Sequence, residues 1–179
     1  LENDKNDEKK KQFQLEHNLS NKTVILWVKS VMKSLESAER KIEGHLADLS
    51  LNNDELVILF RRHPNDPAAK ENSNFDSWID VSTYSTADII PACDIVITIN
   101  STVGYEASLL QKTVLQVLLY DFPEQLSFND LRIGKEIKTL SELSHEIQTF
   151  KKSKLARTER KSKSASKIIC DTIQDSLLL

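Results

Sequence analysis

The residues of this 179-residue chain best suited to chemistry fall in three short clusters. The first is Arg61-Arg62-His63-Pro64, directly after the apolar run Leu56–Phe60. The residue before a proline is held extended. That projects His63 from a strand end, where it can donate to a phosphate oxygen while Arg62 adds charge-assisted hydrogen bonds. A solvated loop histidine satisfies the same residues. The second cluster is Ser82-Thr83-Tyr84-Ser85, a hydroxyl-rich loop able to contact a base or ribose. Ser82 or Ser85 serves equally as the cap of a helix starting at Thr86, and capping is the primary expectation. The third is Asn100-Ser-Thr-Val-Gly-Tyr-Glu106. Asn100, Ser101 and Thr102 fall where a helix begins, so their side chains can cap it while its free N–H groups and positive dipole end suit an anion. Gly104 lets another backbone or a phosphate come close. Glu106 falls at the border of the packing face and needs a partner: a ribose hydroxyl pair, or Arg62 or Lys112 in an ion pair. A capped helix that binds nothing is the plain alternative.

The elements that must position these clusters read as alternating strands and helices. Thr23–Val28, Leu56–Phe60, Trp78–Val81, the run after Asp94 and Thr113–Tyr120 are mainly apolar rather than alternating, which suits strands buried on both faces. Ile137–Leu140 reads as an edge strand. Apolar residues at Val31, Leu35, Ala38, Ile42, Leu46 and Leu49 mark an amphipathic helix over Lys29–Leu51. Thr86–Ala92 is a short helix, and Ser141 caps another running to Phe150. The pattern predicts an α/β, doubly wound, Rossmann-like parallel sheet of about five to six strands in a single domain. In such a sheet every strand-to-helix loop opens on one edge, which brings the three clusters together. The domain is expected over 22–150. Before it, 1–21 is a linker or frayed helix, and after it 151–179 is a basic C-terminal helix.

Composition narrows the function. The chain is 39% hydrophobic and 28% charged with net charge −3, ordinary for a soluble globular protein. No apolar run approaches the roughly 20 residues of a membrane helix, and nothing near Leu1 resembles a signal peptide. Cys93 and Cys170 are too far apart in the chain to suggest a metal site, and point to buried thiols in a reducing, cytoplasmic compartment. No GxGxxG or Walker A loop follows a strand, so hydride transfer and P-loop phosphoryl transfer lose weight. The only methionine is Met32, and a fragment of a longer protein is expected. From Lys151 to Lys167 there are eight Lys/Arg and one acidic residue, a local +7 that leaves about −10 for the remainder. A solvated helix is the plainer reading of that stretch. The sharper one is peripheral attachment to an anionic membrane surface. No aromatic follows Phe150 to stack on bases, so nucleic acid is not an expected partner.

Strand–Arg-His-Pro, then Ala87-Asp-Ile-Ile-Pro-Ala-Cys-Asp-Ile-Val-Ile-Thr-Ile-Asn-Ser-Thr-Val-Gly-Tyr-Glu-Ala107, then Gln111-Lys-Thr-Val resembles the donor-binding, C-terminal half of GT-B glycosyltransferases. The likeness is strongest to bacterial capsule polysaccharide synthesis proteins and the Kdo- and sialic-acid-transferring enzymes, whose His-Pro and Ser-Thr motifs bind the nucleotide of a CMP-sugar. Teichoic acid glycerophosphotransferases and UDP-GlcNAc 2-epimerases share the layout. The resemblance covers roughly Leu56–Tyr120. It implies that His63 contacts the donor phosphate, that Ser101 and Thr102 bind phosphate, and that Glu106 lies near the ribose. His63 and Glu106 are the candidate catalytic residues. Arg62, Ser82, Ser85, Asn100 and Gly104 complete the candidate nucleotide site. The donor is a CMP- or UDP-sugar, which is a substrate, so no cofactor is implied; no metal is required and no Asp-x-Asp pair is present. Where relatives have Gly-Lys-Pro, this chain has Gln111-Lys112-Thr113, which changes a turn. The acceptor and the catalytic base belong to a separate N-terminal domain, so the fragment alone should bind donor and transfer nothing. An epimerase of the UDP-GlcNAc 2-epimerase type and a non-catalytic α/β module with a basic tail are the rival readings.

Overall fold

The computed structural model describes residues 2–30, 32–63, 77–120 and 127–156. Its strands are β1 (Thr23–Val28), β2 (Leu56–Arg61), β3 (Ile79–Asp80), β4 (Ile95–Thr98), β5 (Thr113–Val117) and β6 (Lys135–Ile137). They form one sheet in the order β3-β2-β1-β4-β5-β6, with every pairing parallel. The chain enters at the centre, moves outward through β2 to β3, crosses back to β4 beside β1, and moves outward again. Strand order reverses between β1 and β4, and in such sheets ligands bind outside the carboxyl ends at that reversal. Register places Trp27 of β1 between Phe60 of β2 and Ile97 of β4.

The continuous apolar runs are explained by cover on both faces. Val24, Ile25, Leu26 and Trp27 are all 0% exposed. On one face Val24, Leu26, Val28, Leu59, Val96 and Val114 pack in a cluster that includes Val103 and Ala107 of α4 (Thr102–Leu109). Ile89 and Ile90 join that cluster. Ile89 ends α3 (Thr86–Ile89), and Ile90 opens the 3-10 turn Ile90–Ala92 that continues it. Residues alternate along a strand, so Trp27 points to the other face, where its indole N–H donates to Glu43 of α2 (Glu36–Leu51) at 3.2 Å. Leu35, Ala38, Ile42 and Leu46, the apolar steps read from sequence, are buried.

Several boundaries differ from expectation. The helix expected from Lys29 begins with a 3-10 turn at Lys33–Leu35 and becomes α-helical at Glu36. The Glu39 carboxylate accepts from the Ser30 N–H at 2.6 Å and ties the preceding loop to the helix. Strand β5 stops at Val117, although the apolar run continues to Tyr120, because its partner ends: Leu118 N–H makes a last bond to Ile137. Strand β6 lies two residues earlier than expected. Residues 140–156 are helical (α5), and the cap is Thr139, not Ser141. Thr139 Oγ1 accepts from Glu142 N–H at 3.1 Å, and the Glu142 carboxylate accepts from Lys138 N–H at 2.9 Å. This is close to a reciprocal capping box. The segment before the sheet forms a helix, α1 (Glu2–Glu16), with Phe13 and the following Leu19 in the same core cluster as α3. By compactness the chain divides into 1–143 and 144–179. Of the basic stretch, 151–156 is helical and the rest lies outside the described residues.

The amino edge of the sheet is occupied by structural bonds. Asp94 accepts from Val24 N–H at 3.0 Å, and the Lys112 ammonium donates to the carbonyls of Pro91 and Cys93 at 2.7 and 2.9 Å. Gln111, at the turn into β5, has φ 55, a left-handed conformation that glycine adopts more easily.

Candidate functional site

Two of the sequence clusters flank the reversal point at the carboxyl edge. After β4 the chain turns sharply into α4 through Ser101, whose backbone is extended (φ −132, ψ 138) and whose hydroxyl accepts from Val103 N–H at 3.3 Å. Ser101 is therefore the cap, and its carbonyl accepts from Gly104 N–H at 3.0 Å. Among the described residues, the N–H groups of Ser101 and Thr102 have no protein acceptor. Ser101 is half-buried and Thr102 exposed, at the positive end of α4. Asn100 does not cap. It is exposed, and its amide lies 3.8 Å from the Met32 sulfur, bringing the β1–α2 turn against the β4–α4 turn.

On the other side of β1, the end of β2 is fastened to the loop after β3. Arg62 N–H donates to Ser82 Oγ at 3.0 Å, Ser82 N–H donates to Asp80 at 2.9 Å, and the Arg61 guanidinium donates to the Tyr84 carbonyl. His63 is half-buried just beyond this knot; Pro64 lies outside the described residues. The Arg62 side chain lies 3.6 Å from the Asp80 carboxylate and over the Phe60 ring, and is 12% exposed. Its charge is thus held by Asp80 rather than projected into solvent. Ser85 stands at the N-cap of α3 with extended backbone, yet its hydroxyl donates to Asp88 instead of accepting a backbone N–H.

The structure brings Arg62, His63 and Ser82 into one group and Asn100, Ser101, Thr102 and Glu106 into another. Their strands are separated by β1, two strand spacings or roughly 10 Å. Ser85 sits farther along the β3–α3 loop. Glu106 is half-buried, and among the described residues its side chain has no hydrogen bond or ion pair. The ion-pair alternatives for Glu106 fail because Arg62 is held by Asp80 and Lys112 by the amino edge.

The bare face of Gly104 is filled by protein. A Cβ there would stand 2.4 Å from Phe128 Cε2 and 3.0 Å from Cζ. Phe128 is itself positioned by Gln116 of β5, which is fully buried and donates to the Ile99 carbonyl at 3.1 Å while accepting from Phe128 N–H at 2.8 Å. Sequence reasoning missed both residues; the signal available was a lone glutamine in the apolar run Thr113–Tyr120. Thr98, at the end of β4, is also buried, and its hydroxyl has no partner among the described residues. No group of three or more His, Cys, Asp or Glu among the described residues could hold a metal ion. No helix among them is long and apolar enough to cross a membrane.

No protein-family model matches the chain, and a search of curated proteins finds no match. Solved structures do match. The wall teichoic acid polymerase TagF superposes with TM-score 0.60 at 22% identity, over 81% of this chain and 40% of that one. The S. aureus MnaA–UDP structure gives TM-score 0.55 at 17% identity, over 74% and 38%. A putative UDP-N-acetylglucosamine 2-epimerase from Listeria monocytogenes gives 0.55 at 19% identity, over 76% and 38%. The chain therefore has the fold of one part of these larger proteins, and spans about 40% of their length.

Proposed function

We infer that this chain is the donor-binding half of a GT-B-like enzyme, taking a nucleotide-sugar at the carboxyl edge between β1 and β4. The observation that carries this reading is the β4–α4 turn. It presents N–H groups without a partner among the described residues and a helix N-terminus at the reversal point of a parallel sheet. A diphosphate placed there is bound by Ser101, Thr102 and the end of α4. His63 reaches it from across β1, a span that a nucleotide can bridge, and Glu106 accepts from the ribose hydroxyls. Ser82 keeps a structural role, and Gly104 contributes by admitting the Phe128 ring against the start of α4. When the sugar–phosphate bond breaks, the electron pair goes to the phosphate oxygen, where the α4 N–H groups stabilise the added charge. The proton lost by the attacking hydroxyl goes to a base on an N-terminal domain. The solved neighbours with UDP and with CDPG support a pyrimidine nucleotide.

Transfer to a surface polysaccharide, from a CMP- or UDP-sugar, is the reaction we propose for the intact enzyme. It places the protein at the cytoplasmic face of the membrane, with Lys151–Lys167 drawn to anionic lipid. The epimerase neighbour favours one second reading, a UDP-GlcNAc 2-epimerase-like domain, in which the β4–α4 turn would bind the nucleotide in the same way. Calorimetry of the chain against CMP, CDP, UMP and UDP tests the shared claim. Weak binding that Ser101→Ala reduces is expected; no heat with any of the four at about millimolar concentration removes the reading.

A further inference from the structure

We propose that a groove along the exposed side of α2 is a phosphate-binding site separate from the α4 turn. It has a volume of about 490 Å³ and is lined by Lys33, Ser34, Glu36, Ser37, Arg40 and Lys41. Three cations face one carboxylate, and that carboxylate is already ion-paired with Arg40 one helical turn away. Lys33 makes no hydrogen bond or ion pair among the described residues. Lys41 is fixed: its ammonium donates to the Tyr120 hydroxyl and lies 5.0 Å from the centre of that ring. Hydrogen bonds from Lys41 and Ser37 lower the Tyr120 phenol below its ordinary value.

The lining is wrong for an apolar ligand and right for a tetrahedral oxyanion. Ammonium and hydroxyl groups line it near the N-terminal end of a 16-residue helix, where the dipole adds to the positive potential. Met32, the residue before Lys33, touches Asn100, so the groove adjoins the β4–α4 turn. Its ligand is a phosphate group with two chemical sources, the terminal phosphate of the nucleotide or a phosphodiester in a charged acceptor. The choice between them rests on the donor-half reading; phosphate binding itself does not.

Amide NMR of the full chain, titrated with inorganic phosphate and with chloride at matched ionic strength, tests the site. Phosphate alone should shift amides of 33–41, and Lys33→Gln/Lys41→Gln should weaken its binding about tenfold. Lys33 is exposed, and its side chain has no hydrogen bond or ion pair among the described residues, so Lys33→Gln by itself should leave the fold intact and weaken phosphate binding about threefold. Displacement of phosphate by CDP assigns the groove to the nucleotide. Binding of glycerophosphoglycerol in the presence of saturating CDP assigns it to the acceptor. Equal shifts with chloride, undiminished affinity in the double variant, or no response at 33–41 up to about 20 mM phosphate overturns the proposal. CDP that fails to move 101–104 while phosphate moves 33–41 removes the donor reading and leaves the groove standing.

Discussion

Gln116 and Phe128 are joined by a buried hydrogen bond of 2.8 Å, and the other end of the same amide holds the last carbonyl before the β4–α4 turn. One side chain on β5 thus fixes both the turn and the ring packed against its first helical residues. Gln116→Leu keeps the volume, removes both bonds and leaves Phe128 N–H without its acceptor. It should cost about 1–3 kcal/mol, the penalty of one buried unsatisfied group. Urea denaturation measures this; a loss below about 0.5 kcal/mol means that water or a shift of backbone replaces both bonds.

Gly104→Ala should be destabilising by about 1–3 kcal/mol because its methyl overlaps the Phe128 ring. The same substitution in a Phe128→Leu background should cost clearly less than in the parent. A double-mutant cycle with no coupling between the two positions would show that the helix, rather than the ring, excludes the methyl.

Ser101→Ala should lower stability by about 1 kcal/mol, since it removes a helix cap, and should also weaken nucleotide binding. His63→Ala should weaken nucleotide binding by roughly 1–3 kcal/mol while changing the melting temperature little. A steep drop in melting temperature for His63→Ala would make it a structural residue of the β2–β3 knot.

Much of the fold was legible because the central strands are uninterrupted apolar runs and only a doubly covered sheet buries them. The Ser101 cap was legible for a similar reason: a hydroxyl residue directly follows a strand and precedes a helical pattern. The packing of Phe128 on Gly104 was not, because the two residues are brought together only by the sheet, through Gln116. The Thr139 cap was written locally, as Thr-x-x-Glu, but Ser141 lies inside the same window and competes for the role. The pairing of Arg62 with Asp80 depends on β3 lying beside β2, which no local pattern states.

Gln111→Gly should raise stability by up to about 1 kcal/mol, because a left-handed conformation strains a residue with a Cβ. The resemblance supplies glycine at this turn, and the φ of 55 supplies the reason. Unchanged or lowered stability would show that the Gln111 side chain makes compensating contacts in water.

The Cys93 thiol donates to the Ile89 carbonyl at 3.1 Å, and burial pushes its pKa up to about 12. The folded state therefore holds the proton after the unfolded chain has lost it near the ordinary cysteine value of about 8.5. Stability from this group is complete below that pH and is lost as pH rises toward 12. In a Cys170→Ala background, iodoacetamide at about pH 8 should label Cys93 only as fast as the protein opens. Labelling at the rate of a free thiol would place the sulfur in solvent.

The strand lengths carry a further consequence for how the chain behaves outside its native state. Thr23–Val28 and Leu56–Arg61 are six residues each, whereas the described sheet ends in a two-residue strand on one side and Lys135–Ile137 on the other. Short borders flanked by Asp80 and Lys135 give a second molecule little backbone to pair with. The segments with the strongest tendency to self-associate, TVILWV, LVILF and IVIT, all sit inside the sheet. They lack proline, glycine and charge, the composition of cross-β aggregates. Native protein should stay dispersed, while refolding from denaturant should lose yield steeply as concentration rises, because collision then competes with the insertion of β4 beside β1.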